Sequence, residues 1–255
     1  MHFVVSGKAN VGKSAFTEVL SAIAHLSGHQ PFLVDADIHR QTLSKVTETT
    51  RQVAMKDDPL YESQPDQFWV LAEKQEADVI VDLAGQTDSL LNNWLDNRAV
   101  TEAAREQHIK IMKWWICDSD TVSLRELADS AERFPTVQHV LVKAYYRAPE
   151  LLWESLDLNS DVKRAIRNGV ETCIFPRLHT GLLDRLRASQ IAIKDVAENA
   201  SLGALDKSTI RRWVERNHTA IAPIYNFPKT KLTSAKKKKL GTTRRKSTAK
   251  EKANA

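Results

Sequence analysis

Between an apolar run and an amphipathic segment the chain places Gly7-Lys8-Ala9-Asn10-Val11-Gly12-Lys13-Ser14. No other stretch constrains the fold as much. Residues 2–6 (HFVVS) read as a short buried strand. After Gly12, the positions of Phe16, Val19, Leu20 and Ile23 repeat at i, i+3, i+4 and i+7, which predicts one buried helix face, and Gly28 ends it. A strand that passes through a glycine-bearing turn directly into a helix aims backbone N–H groups and the positive helix end at that turn. The product is an anion cradle, and Gly-x4-Gly-Lys-Ser is the spacing of a phosphate loop. In such a loop Lys13 reaches the β and γ phosphates and the Ser14 hydroxyl ligates magnesium.

The rest of the chain alternates in the same way. Apolar runs at 31–35, 78–82, 109–117, 137–143 and 171–176 read as strands. Helical patterns fall at about 65–76, through LLNNWLDN, at 121–134, around Leu151, Leu152, Trp153 and Leu156, and at 180–188, 190–200 and 206–217. A polar stretch fills the chain from 36 to about 63. This alternation predicts an α/β fold: a mostly parallel sheet covered by helices on both faces. Ligands of such sheets bind at the carboxyl ends of the strands. The loops Ser6–Ser14, Asp35–Arg40 and Asp82–Thr87 therefore belong together.

Composition narrows the setting. No apolar run approaches the roughly 20 residues that cross a bilayer. Residues 3–5 run at once into the glycine-bearing loop, unlike a signal peptide. Cys117 and Cys173 stand apart with no CxxC spacing, which argues against a zinc site or a disulfide framework. A cytoplasmic setting is expected. Trp114 and Trp115, inside a strand, are expected in the core rather than on a stacking surface.

Charge divides the chain in two. Residues 229–255 hold 11 Lys or Arg and a single acid, Glu251, whereas residues 1–228 hold 26 basic and 31 acidic residues. The first 228 residues are expected to be one domain. The last 27 lack the apolar content to order themselves and are expected to be a disordered tail. Clustered lysines and arginines on a flexible arm attract phosphates without reading sequence, so nucleic acid is the expected partner. The tail has two leucines and no apolar face, which makes a lipid surface the weaker choice.

A phosphate loop needs one lysine, and this one has two. KANVGKS resembles the deviant Walker A motif, KGGxGK[ST], of the ParA/MinD family of P-loop ATPases. Lys8 falls on that family's signature lysine, and Ala9-Asn10 replaces its usual glycine pair. Asn tolerates positive φ better than most residues, so the loop can keep its shape. Two further segments fit: LVDADIHRQTL (33–43) resembles switch I, and VIVDLAGQTD (79–88) resembles the Walker B strand and switch II. WWICDSDTVSLREL aligns loosely with the strand and helix beyond. The likeness extends over about residues 1–200, with the specific motifs in the first 90.

The resemblance implies ATP and Mg2+ as cofactors and a homodimer formed on ATP binding. Lys8 would reach across that dimer to the partner's phosphates, giving it a catalytic role beside Lys13. Asp37 would orient the attacking water. Gly7, Lys8, Ala9, Asn10, Val11, Gly12, Lys13 and Ser14 would line the nucleotide. Gly85 would sense the γ phosphate through its N–H. Asp82 would hold the metal through water, in a metal set with Ser14 and Asp35, which ends its strand near the ion. A partner protein would stimulate hydrolysis. The short N-terminus, divergent loop and basic tail look most like plasmid-borne bacterial members serving plasmid stability or conjugal transfer. Where the family has an adenine-reading asparagine, this chain has Lys143-Ala144-Tyr145-Tyr146, read here as core or surface residues. His39 and Arg40 read as exposed.

Two other readings share the motif. Enzymes of the dethiobiotin synthetase type use the same sheet and loop to phosphorylate a metabolite, and need a concave acceptor pocket at the strand ends. A nucleic-acid adaptor with a relict loop would not need Lys13, Ser14, Asp37 and Asp82 all in place.

Overall fold

The structure, a computed structural model, describes residues 1–47, 50–74, 78–145 and 150–225. The expected tail, the boundary at 228 and Tyr146 lie outside the described residues. In chain order the elements are β1 (His2–Val5), α1 (Lys13–Leu26), β2 (Phe32–Asp35), α2 (Thr42–Val46), β3 (Arg51–Gln52), α3 (Asp66–Lys74) and β4 (Val79–Asp82). They continue with α4 (Asp88–Asn97), α5 (Val100–Glu106), β5 (Met112–Cys117), α6 (Thr121–Arg133), β6 (Gln138–Ala144), α7 (Glu150–Leu156) and α8 (Ser160–Arg167). The described residues close with β7 (Glu171–Phe175), α9 (Thr180–Ala188) and α10 (Ala204–Tyr225).

The strands form one sheet in the order β3-β2-β4-β1-β5-β6-β7, and every pair is parallel. Burial on both faces explains why the strands read as unbroken apolar runs. On one face Val4, Ile80, Trp114 and Val142 pack with Phe16, Leu20 and Ile23 of α1 and Trp213 of α10. On the other, Phe3, Val81, Trp115 and Leu141 pack with Phe68, Trp94, Leu124 and Trp153. Trp114 and Trp115 are fully buried, one on each face, as period-2 alternation requires. Gly28 ends α1 in the left-handed conformation (φ 83°).

Several segments differ from the sequence reading, among them α8, a second helix between β6 and β7 where one was expected. The polar stretch after 36 contains α2 and the two-residue strand β3, the latter recruited only by pairing with Val34 and Asp35. Helix α5 follows α4 after a reversal at Ala99 (φ 48°). Residues 190–200 do not form the expected helix. They hold a single 3-10 turn, Ile193–Asp195, because Ile191, Ile193 and Val196 are all drawn into the core against α1. Finally, α10 runs past 217 and through Pro223 to Tyr225, since Ile221, Ile224 and Tyr225 are buried.

Tyr225 closes a small polar network at the amino ends of the strands. Its hydroxyl donates to Asp78 Oδ2 (3.0 Å), its ring stacks on His2 (4.3 Å between centroids), and Trp114 Nε1 donates to His2 Nδ1 (3.2 Å). Burial pushes His2 down to about 4, against the pull of Asp78. The folded pKa lies below the unfolded value of about 6.5, so below pH 6.5 the unfolded chain takes up a proton that the folded chain refuses. Stability from His2 is therefore complete above about pH 6.5 and is lost as pH falls toward about 4, at roughly 1.4 kcal/mol per pH unit. Urea unfolding of wild type and His2→Gln at pH 7 and pH 5 checks this. The variant is expected to gain relative to wild type at the lower pH, and a pH-independent difference would refute it.

Candidate functional site

The phosphate loop runs from Ser6 to Gly12, between the end of β1 and the start of α1. Asn10 (φ 64°) and Gly12 (φ 98°) both take the left-handed conformation that the turn demands. Asn10 thus supports the same backbone as a glycine would, as its short polar side chain allows. Gly12 occupies the N-cap of α1, and no side chain caps the helix start. The first-turn N–H groups are left facing the loop, where an anion would complete them. Lys13 is 7% exposed, and its Nζ donates to Ser6 Oγ (3.0 Å) and to the Lys8 carbonyl (3.4 Å). Burial lowers its pKa, while Asp82 and Asp37 pull it back up.

Sheet register brings the carboxylates together. Asp82 pairs with Val4 of β1 on one side and with Asp35 of β2 on the other. Asp82 is buried, and neither carboxylate oxygen has a hydrogen-bond partner of normal geometry. Burial pushes it up to about 7, against the pull of the nearby Ser14 hydroxyl, with Asp35 pushing further upward. Asp35 is engaged differently. Its Oδ1 accepts from the Asp37 N–H (3.1 Å), and its Oδ2 accepts from the Ser44 N–H and hydroxyl (3.0 Å each). It thereby ties the loop after β2 to α2. Asp37 accepts from the Arg40 N–H (3.1 Å) and faces the same cavity as Lys13 and Ser14.

An orphaned buried carboxylate beside a serine hydroxyl and a lysine fits a hard divalent cation. Among the described residues no group of three His, Cys, Asp or Glu side chains could hold a metal unaided. A cation here would take its remaining ligands from phosphate and water, the usual magnesium arrangement.

The loop after β4 is pressed against the phosphate loop. A Cβ on Gly85 would stand 2.7 Å from the Ala9 nitrogen and 2.8 Å from Ala9 Cα. Real contacts are never so close, so only glycine fits. Gln86 donates its N–H to the Ser6 carbonyl (3.2 Å). Beyond it, Asp88 at the start of α4 pairs with Lys113 (3.0 Å), a lysine of β5 with no exposed surface. Lys113 also bonds Asn92 and Ser130, anchoring α4 to β5 and α6. The sequence reading passed over Lys113, though a lone lysine inside MKWWIC was the available signal.

Lys8 behaves unlike Lys13. Its Nζ pairs with Asp120 Oδ2 (2.9 Å), its side chain is half exposed, and it forms no part of the cavity wall. The contact holds Lys8 above and Asp120 below their ordinary pKa values. Asp120 is the N-cap of α6 and accepts from the Val122 N–H.

The cavity beside the loop measures about 370 Å3. One end holds Gly12, Lys13, Ser14, Asp37 and Arg40. The far end is lined by Phe175 and Pro176 after β7, Leu178, Trp213 of α10, and Leu183 and Asp184 of α9. This wall has no local motif and was not anticipated. Arg40 lines the cavity and bonds the Asn10 side chain. Arg187 of α9 also lines it, with Glu18 of α1 behind: burial pushes Glu18 up to about 8, and Arg187 draws it back. Lys143 points elsewhere, to Asp157 (2.6 Å) and over the Trp153 ring, and Tyr145 packs on that same opposite core. Neither lines the cavity, as the sequence reading expected.

No model of a known protein family matches the chain, and no curated protein matches it in sequence. Solved structures do match its shape. The septum site-determining protein MinD from Pyrococcus horikoshii, complexed with Mg-ADP, superposes with a TM-score of 0.50 at 14% identity, over 85% of this chain and 94% of that one. The chain shares this fold, a parallel sheet covered by helices on both faces. A nucleotide-binding protein in complex with ADP from Archaeoglobus fulgidus matches with a TM-score of 0.48 at 13% identity, over 75% and 87% of the two chains. No helix among the described residues is long and apolar enough to cross a membrane.

Proposed function

We propose that this chain is an ATPase switch in which Mg-ATP joins two copies and hydrolysis parts them. The observation that carries the reading is Asp82, a buried carboxylate without a partner, set beside Lys13 and Ser14 at the mouth of a phosphate loop. Asp82 and Ser14 are the side chains to hold magnesium, with Asp35 shaping the loop beside them. The ion would supply charge neutralisation across the β and γ phosphates. Lys13 leaves Ser6 for the phosphates, Asp37 orients water, and the Gly85 N–H faces the terminal phosphate. The Mg-ADP bound to the MinD of similar fold supports this assignment.

Lys8 supports the two-copy form. It stands outside its own cavity and half exposed, where a facing copy can take it. A cation delivered in trans stabilises transition-state charge only in the closed dimer. The test is light scattering and hydrolysis with Mg-ATP on the intact chain and on Lys8→Ala. The expected result is a nucleotide-dependent wild-type dimer and a variant that binds ATP without dimerising productively. A wild-type monomer, with Lys8→Ala hydrolysing at the wild-type rate, overturns the reading.

In the single chain Lys8 must first leave Asp120. Asp120→Asn keeps an N-cap acceptor but removes the charge. A half-exposed pair contributes little, and each dimer breaks two of them, so the ATP-dependent dimer is expected to form at a modestly lower concentration. Sedimentation across a concentration series reads this, and an unchanged midpoint would show that the pair does not compete with dimerisation.

A second hollow, of about 310 Å3, favours the phosphoryl-transfer reading. It lies on the other side of the loop, between Gly7, Gln86, Asp88 and Glu126. An acceptor there would leave the chain monomeric during turnover and consume ATP only with the metabolite present. Within the switch reading, plasmid stability or conjugal transfer is the role that the basic tail supports. Tyr225, the last described residue, lies at the sheet end opposite the site, bonded to Asp78. Salt-dependent retention of the full chain on duplex DNA is the readout, and salt-independent or absent retention would end that part of the reading.

A further inference from the structure

Three basic side chains line the main cavity: Lys13, Arg40 and Arg187. The first two already have partners. Lys13 is bonded within the loop, and Arg40 bonds Asn10. The Arg187 side chain has no hydrogen bond or ion pair among the described residues, and its Nε is sealed from solvent. On α9 it follows Leu183 by four residues, so both fall on one helix face, toward the cavity. Behind it stands Glu18, 5% exposed, with Oε1 buried and unpartnered. Glu18 lies four residues beyond Ser14 on α1, one turn along the same face.

Buried polar atoms normally have partners, and two unsatisfied ones, one of them on a residue that lines an open cavity, need a reason. The ligand supplies it. Strand β7 is three places from β1, about 14 Å at ordinary strand spacing. A nucleotide with its terminal phosphates at Gly12–Ser14 must cross the ends of β5 and β6 before its base meets Phe175, Pro176 and Leu178. The middle of that ligand, its α phosphate and sugar, passes along the flank of α1 that bears Ala15 and Glu18. Arg187 lines the same cavity as Ala15 of this flank. A guanidinium is the side chain best suited to grip a phosphate with two parallel N–H donors.

We propose that Arg187 binds the α phosphate of the nucleotide and that Glu18 positions its guanidinium from behind. This rests on the nucleotide reading above and goes beyond it. The loop grips the β and γ phosphates, and Arg187 provides a second, separate grip that requires a nucleoside phosphate. Inorganic pyrophosphate, which fills only the loop, does not use it.

The experiment is calorimetric titration of the full chain with Mg-ADP, Mg-ATP and magnesium pyrophosphate, on wild type, Arg187→Gln, Arg187→Lys and Glu18→Gln. It is joined by 31P NMR of bound Mg-ADP. Arg187→Gln is expected to weaken ADP and ATP about 10- to 100-fold and to leave pyrophosphate within two-fold. Arg187→Lys, which keeps the charge, should recover part of the loss, and serves if glutamine loosens α9. Glu18→Gln should weaken ADP by a few fold. In the spectra the α resonance should move in the Arg187 variants while the β resonance stays. A structural role alone would not separate the two resonances. If wild type binds ADP and the Arg187 variants bind it equally, with an unmoved α resonance, this inference is overturned and the nucleotide reading stands. If wild type binds neither ADP nor ATP, the nucleotide reading itself fails and carries this inference with it.

Discussion

Lys13→Ala is expected to abolish measurable Mg-ATP binding while the empty chain stays folded. The two halves of that statement have separate causes. In the folded chain Lys13 is a buried ammonium whose partners are Ser6 Oγ and the Lys8 carbonyl, and its burial costs enough to lower its pKa. Removing it relieves that cost, and the Lys8 carbonyl still accepts from the Ser6 hydroxyl (2.5 Å). The loop therefore keeps an internal bond. With nucleotide bound, the same ammonium would be the charge at the β and γ phosphates. Truncating one member of a desolvated charge pair costs about 2–5 kcal/mol, roughly 30-fold to several thousand-fold in affinity. Calorimetry with Mg-ATP, with thermal melting as the control, measures both halves. Wild-type affinity in a folded Lys13→Ala chain would show that the loop is not a phosphate site. The contrast with Lys8→Ala matters: that side chain lies outside its own cavity, so its loss should spare binding and remove only what two copies do together.

Gly85→Ala is the second large expected effect, and it comes from space rather than charge. The added carbon would sit 2.7–2.8 Å from the backbone of Ala9, with the Lys8 carbonyl carbon at 3.0 Å. Backbone cannot swing aside as a side-chain tip can, so one of the two loops must move. Gly7 makes a useful comparison. The nearest atom to its would-be Cβ is a Glu126 carboxylate oxygen, the far end of a long side chain with several rotatable bonds. Forced overpacking costs about 1–3 kcal/mol, and catalytic groups displaced by about 1 Å lose about 100-fold in rate. Hydrolysis by Gly85→Ala is thus expected to fall about 100-fold, with a smaller loss in nucleotide affinity and a modest drop in melting temperature. Steady-state hydrolysis alongside calorimetry decides. Near-wild-type turnover would mean that the two loops separate during the cycle and that their contact is not used.

The phosphate end of the site was legible because it is local. Gly7 to Ser14 is one stretch of chain, and its spacing alone requires a strand before it and a helix after it. Asp35 and Asp82 were legible at one remove, since each ends an apolar run and parallel strands must end together. The role of Asp35 was less legible: only the structure shows its carboxylate held by Ser44 and the Asp37 N–H, while that of Asp82 is left without a partner. The segment 190–200 shows the opposite failure. Its helical pattern was real, but Ile191, Ile193 and Val196 gain more from the core beside α1 than from helical hydrogen bonds.

By itself the sequence determined the mostly parallel α/β class and the loop at the strand ends, because strand burial and a turn between strand and helix are written in nearest-neighbour patterns. Tertiary structure alone decided the other end of the cavity. Phe175, Pro176, Leu183 and Arg187 lie more than 160 residues from Lys13 and carry no motif. They reach the cavity beside the loop only because β7 is laid three strands from β1 and α9 follows it. The same holds for the pairing of Lys8 with Asp120, two charged loop residues whose meeting depends on β5 lying directly beside β1.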